Sequence, residues 1–117
     1  MEIDQKEENG IVCITIKGRM GSELSPKFEK VIKEIVAGDQ RRILFDLGSL
    51  EYLRTPILRV ILKAVKQINR KRGKVALCAL SGYVQEIFEG NSFEGSFAIA
   101  DSVESGIQTL QSALNAA

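Results

Sequence analysis

The sequence predicts an α/β fold: one domain over residues 1–117, with a mixed sheet of four or five strands and about four helices. Three observations predict it. Short apolar runs such as Ile11–Lys17 and Arg42–Leu47 alternate with longer stretches of helical spacing. Two of those stretches open with a hydroxyl residue followed by proline, Ser25-Pro26 and Thr55-Pro56. The hydroxyl suits an N-cap, and proline suits the first helical position, where its missing N–H would have no partner. Near the N-terminus, Asn9-Gly10 favours a type I′ hairpin. An antiparallel hairpin followed by strands separated by helices implies a mostly parallel sheet. Strand order does not follow from the pattern.

Each element has its own signal. A weak first strand near Glu2–Lys6 is joined by the turn to a second at Ile11–Lys17. Val12, Ile14 and Ile16 share one face of that strand; Ile11, Cys13 and Thr15 share the other. The helix from Pro26 carries Phe28, Val31, Ile32, Ile35 and Val36 as an apolar stripe and ends near Gly38. Arg42–Leu47 reads as a strand buried on both faces. The next helix, from Pro56, places Ile57, Leu58, Ile61, Leu62, Val65 and Ile68 inward, and Gly73 closes it. Lys74–Leu80 is a further strand. Ser81 caps a short helix with Tyr83, Val84, Ile87 and Phe88 expected inside. Phe97–Ala100 is expected as the last strand. Asp101 and Glu104 are expected as a capping box, with Val103, Ile107, Leu110 and Leu114 lining the final helix.

Composition excludes more function than it suggests. Apolar residues are 44% and charged residues 26%, ordinary values for a globular domain. Sixteen cations against fifteen acids give no overall attraction to a polyanion, so nucleic acid is not an expected partner. No apolar run approaches the roughly 20 residues of a membrane helix, and no signal-peptide core opens the chain. A cytoplasmic location without membrane insertion is expected. Cys13 and Cys78 sit inside strand-like runs and read as small buried hydrophobes rather than a disulfide. The absence of His removes the commonest general base and metal ligand. No phosphate loop, dinucleotide fingerprint or Cys-x-x-Cys occurs, so neither a cofactor nor catalysis is expected.

Two features carry functional content. Thr55 presents a hydroxyl at the positive end of a helix dipole, where a phosphate would be stabilised. As a cap alone it would contribute about 1 kcal/mol. On the same helix Arg59, Lys63, Lys66 and Arg70 fall at i, i+4, i+7 and i+11, one line along the surface. No acid lies between Thr55 and Arg72, and Arg54, Lys71, Arg72 and Lys74 extend the patch. A solvated face is one reading; an acidic partner surface is the other.

Nearly the whole chain resembles the STAS domain, the family of the bacterial anti-sigma-factor antagonists. The resemblance rests on Ile11–Gly18, Ile43–Leu47, the helix start at Thr55, Gly73–Ser81 and the closing helix from Asp101 to Leu114. It implies a STAS-like α/β domain with its helices largely on one side of a mixed sheet. In the family the loop before the second helix usually reads Asp-Ser-Ser/Ala-Gly-Leu, and a partner kinase phosphorylates the first Ser. The matching residues here are Arg54-Thr55-Pro56-Ile57-Leu58, so the hydroxyl is kept while the acid and the glycine are replaced. A second family acid, after a glycine beyond the second strand, has no counterpart in Gly18-Arg19-Met20-Gly21.

The resemblance therefore implies a non-enzymatic regulatory module, a monomer or weak dimer. Its partner would be an anti-sigma factor or a related ATP-binding kinase protein. The phospho-switch at Thr55 would be atypical or lost. The expected contact residues are Arg19, Met20, Gly21 and Ser22 of the first loop, with Arg54, Thr55, Pro56, Arg59 and Lys63. The alternative is an accessory subunit of a transporter or signalling assembly that does not use phosphorylation.

Overall fold

A computed structural model describes residues 2–17, 26–50, 55–89 and 97–115; for residues 2, 26, 27, 55, 56, 89 and 113–115 only the backbone is described. The elements run β1 (Glu2–Glu8), β2 (Ile11–Lys17), α1 (Pro26–Ala37), β3 (Arg42–Asp46), α2 (Thr55–Arg70), β4 (Lys74–Cys78), α3 (Gly82–Glu89), β5 (Ala98–Ala100) and α4 (Val103–Asn115). Among the described residues the expected order of nine elements is the order found. Asn9 and Gly10 both take positive φ, 54° and 80°, as a type I′ turn requires.

The sheet order, unreadable from the sequence, is β1-β2-β3-β4-β5. β1 is antiparallel to β2, and the other pairs are parallel. Each βαβ step moves the same way across the sheet. Crossovers of one hand therefore bring α1, α2 and α3 to one face. That face holds the main core: Val12, Ile14 and Ile16 of β2, Ile43 and Phe45 of β3, Val75 and Leu77 of β4. Against them pack Phe28 and Ile32 of α1, Ile57, Ile61, Val65 and Ile68 of α2, and Val84 and Phe88 of α3. Fully burying each such side chain is worth about 1.5–3 kcal/mol.

The other face is thinner and belongs to α4. Its floor is Ile11, Leu44, Ala76 and Cys78, and Leu110 of α4 presses on it, flanked by Val103 and Ile107. Small residues let the helix come close. An added Cβ on Gly106 would lie 2.6 Å from Leu44 Cδ1.

Four sequence expectations need correction. Tyr83 is not inside: it is 60% exposed, because it precedes Val84 on the first turn of α3, and Val84 and Phe88, with Ile87 half-buried beside them, are the residues packed on the core. The capping box is one residue later than Asp101 and Glu104. Ser105 N donates to Ser102 Oγ (3.2 Å) and Ser102 N donates to Ser105 Oγ (3.1 Å), so two serines close it reciprocally.

The other two corrections lie around the end of α2. Gly73 is not the left-handed residue that ends the helix. Arg72 is, with φ 63°. Arg72 N donates to Asn69 O (3.0 Å) and Gly73 N to Ile68 O (2.9 Å), the paired bonds of a Schellman ending with arginine where glycine is usual.

Lys71, expected in the basic patch, is occupied elsewhere. Its Nζ donates to Val36 O and to Gly38 O, the latter at 2.9 Å. α1 has no basic residue in its own last turn, so α2 supplies the cation that its carbonyl end favours. Replacing Lys71 by Met should cost about 1–2 kcal/mol in urea unfolding, whereas Lys63→Met, on the exposed face, should be near neutral.

Candidate functional site

Parallel strands place their exits at one end of the sheet. β2, β3 and β4 all finish there, and α1, α2 and α3 all begin there. In open α/β sheets this carboxyl end is where sites are built. The connection out of β3 is firmly held. Leu47 N donates to Cys78 O (3.2 Å) and Leu50 N to Leu47 O (3.1 Å), with both leucines buried. Gly48 N donates to Asp46 Oδ1 (3.1 Å), an Asx turn that starts the loop. The neighbouring exit, from β4, turns at Ala79, whose φ is 60° and whose N–H donates to Ala100 O (3.3 Å). Val84 N then donates to Ser81 Oγ (3.3 Å), so Ser81 caps α3 as its sequence suggests.

Thr55 is the first residue of α2, followed by Pro56 in the same opening turn. This is within one residue of the cap position, the usual scatter at helix ends. Arg59 and Lys63 follow along the helix and are exposed. Arg19, Met20, Gly21, Ser22 and Arg54 lie outside the described residues, as do Tyr52 and the segment from Gly90 to Gly95. β2 ends at Lys17, immediately before the first of these segments, at the same end of the sheet.

The same end holds one residue that sequence reasoning misplaced. Tyr83, on the first turn of α3, stands exposed where β4 exits beside β3. Among the described residues it is one of two large hydrophobics left exposed; the other is Ile99, in the edge strand β5. An exposed Tyr offers a rigid amphipathic surface to a protein partner. The only sequence signal was its place beside a helix cap, which hydropathy outweighed.

On the opposite face, a cavity of about 280 Å³ lies between β1, β2 and α4 and reaches Cys13, Thr15 and Asp46. Its thiol is not an activated nucleophile. Burial first, and the Asp46 carboxylate second, push the Cys13 thiol up. The same two causes, in the same order, push Cys78 from 9.0 up to about 12. Both cysteines are free. Among the described residues no group of three or more His, Cys, Asp or Glu side chains converges as a metal site would require, and no helix is long and apolar enough to cross a membrane.

The Cys78 shift has a measurable sign. The unfolded chain releases this proton above about pH 9, the folded chain only near pH 12. The stabilisation is complete below pH 9 and is lost as pH rises towards 12, by about 1.4 kcal/mol per pH unit. Between pH 9 and 10.5 the natural chain should lose about 2 kcal/mol more than Cys78→Ala in urea unfolding. Parallel losses would contradict this account.

The STAS domain family model matches residues 2–106. The chain belongs to the STAS domain family. This STAS domain is 30% identical over 114 residues to BtrV of Bordetella bronchiseptica, named as a candidate anti-sigma factor antagonist; the match covers 97% of this chain and 98% of the relative. The structure of an anti-sigma factor antagonist from Mycobacterium paratuberculosis matches it with a TM-score of 0.82 at 14% identity, covering 94% of this chain and 93% of that one. The phosphorylated form of the Bacillus cell fate determinant SpoIIAA matches with a TM-score of 0.75 at 14% identity, covering 92% and 98%. At such identities the structural likeness speaks for the fold. The chain is thus a STAS domain, similar over nearly its whole length to a protein named for anti-sigma factor antagonism, and its described residues form a five-stranded mixed sheet and four helices.

Proposed function

We propose that this STAS domain is a non-enzymatic regulatory module that docks on an anti-sigma factor, or a related ATP-binding kinase protein, and sequesters it. The observation that carries this reading is the start of α2 at Thr55, at the end of the sheet where β2, β3 and β4 exit. Its contact surface comprises the first turns of α2 and α3, with Thr55, Arg59, Lys63 and Tyr83, and the residues from Arg19 to Ser22. Capture of the anti-sigma factor would free the sigma factor it holds. A phosphate on Thr55 would add nearly two negative charges in the middle of that surface and oppose docking by desolvation and repulsion. Replacement of the family acid by Arg54, and of the family glycine by Ile57, makes this switch atypical or lost.

Calorimetric titration against an anti-sigma kinase from the same genome, with ATP, tests the reading. Tyr83→Ala and Thr55→Glu should each weaken binding by about tenfold or more, with circular dichroism unchanged. Full affinity in both variants would refute the proposed surface.

A further inference from the structure

The net charge of +1 conceals a strong segregation. Seven of the sixteen cations lie between Arg59 and Lys74, where no acid stands. Within α2 itself Arg59, Lys63, Lys66 and Arg70 are all exposed, on the side opposite Ile57, Ile61, Val65 and Ile68. Their 4-3-4 spacing draws a nearly straight seam about 16 Å long. Like charges at i,i+3 and i,i+4 repel by a few tenths of a kcal/mol per pair, so the spacing itself adds nothing to the helix. Lys71 is drawn off to the carbonyl end of α1, which leaves the row on α2 as a separate feature.

We infer that the outward face of α2, along its whole length, is a docking surface for an acidic helix of the partner, with carboxylates at the same 4-3-4 spacing. The proposal rests on the protein-docking reading above and extends it from the start of α2 to its far end. Charge complementarity selects the occupant. Two helices laid side by side present charges at matching intervals, so every cation of the row meets a carboxylate. A membrane surface fits less well, because Gln67 and Asn69, not apolar side chains, are the other exposed residues beside the row. Nucleic acid fits less well because no aromatic residue interleaves with the row to stack on bases.

The test uses the full chain and a labelled 20-residue helical peptide with Glu at i, i+4, i+7 and i+11 and neutral residues elsewhere. A second peptide has the same composition with the Glu positions scrambled around the helix. Fluorescence anisotropy in 50 mM salt should show at least tenfold tighter binding of the spaced peptide. That affinity should fall as salt is raised, because exposed charges are screened within about 8 Å at physiological ionic strength. Lys66→Glu with Arg70→Glu should abolish the preference. Lys66→Gln with Arg70→Gln, which spares the helix a reversed charge near its end, should reduce it at least threefold.

Equal binding of the two peptides, or binding of neither, overturns the proposal. So does tighter binding of a 20-base-pair DNA duplex or of phosphatidylserine vesicles than of the spaced peptide. No kinase is present in these assays, so their outcome is separate from that of the Thr55 and Tyr83 variants. Against the kinase itself, the proposal also fails if Lys66→Glu with Arg70→Glu leaves affinity unchanged while Thr55→Glu lowers it.

Discussion

Wild-type Thr55 should accept phosphate slowly or not at all from an anti-sigma kinase. Thr55 is the first residue of α2, and on the proposed reading it aligns with the phosphorylated residue of the family. Its neighbours are what differ. Arg54 replaces the acid, Pro56 removes an N–H that could hold a phosphate, and Ile57, fully buried, replaces a glycine. Proline also restricts the residue before it, so Thr55 is less free to enter a kinase active site. Arg54→Asp with Pro56→Ser and Ile57→Gly should restore modification by at least tenfold. The check is phosphopeptide mass spectrometry after incubation with the cognate kinase and ATP. Stoichiometric modification of the natural chain would return it to the ordinary phospho-regulated class. Failure of the restored variant, with its fold intact by circular dichroism, would point instead to a STAS subunit that never used the switch.

Among the glycines of the described residues, Gly73→Ala should be the most damaging substitution. An added Cβ would lie 2.3 Å from Arg41 O and 2.6 Å from Ile68 Cγ2. The first is backbone, and the second is a core residue of α2. Lys74 N donates to the same Arg41 O at 2.7 Å, at the beginning of the β3–β4 pairing, so relief would separate the two strands. A loss of about 2–3 kcal/mol is expected, close to 10 °C in Tm for a domain of this size. Gly82→Ala is the control, since nothing lies within 4 Å of an added Cβ there. Equal melting temperatures for the two variants would contradict the close-approach account.

Much of the fold was legible because burial imposes period. Ile11, Cys13 and Thr15 alternate with Val12, Ile14 and Ile16, and the two sets do face different helices. The row Ile57, Ile61, Val65 and Ile68 could hardly be anything but the inside of a helix. Strand order was not legible, because hydrophobic patterning says which face is buried and nothing about which strand is adjacent. Tyr83 was misplaced for a related reason: an aromatic ring at helical spacing carries the same pattern whether it fills a core or awaits a partner.

The capping box moved by one residue because Ser at the third helical position can return the bond that Glu was expected to make. The role of Lys71 depends on a partner thirty-five residues away, a relation that composition cannot express. At the site, the helix start at Thr55 was legible from the Thr-Pro pair. The convergence of α3 upon it was not, since it follows from the parallel pairing of β3 and β4.

Amide hydrogen exchange of the chain, alone and bound to its ATP-loaded anti-sigma kinase, tests the docking surface most directly. Slowed exchange should be concentrated in the first turns of α2 and α3 and in residues 18–25. Protection confined to β1 or α4, with none at the starts of α2 and α3, would place the partner elsewhere and contradict the account.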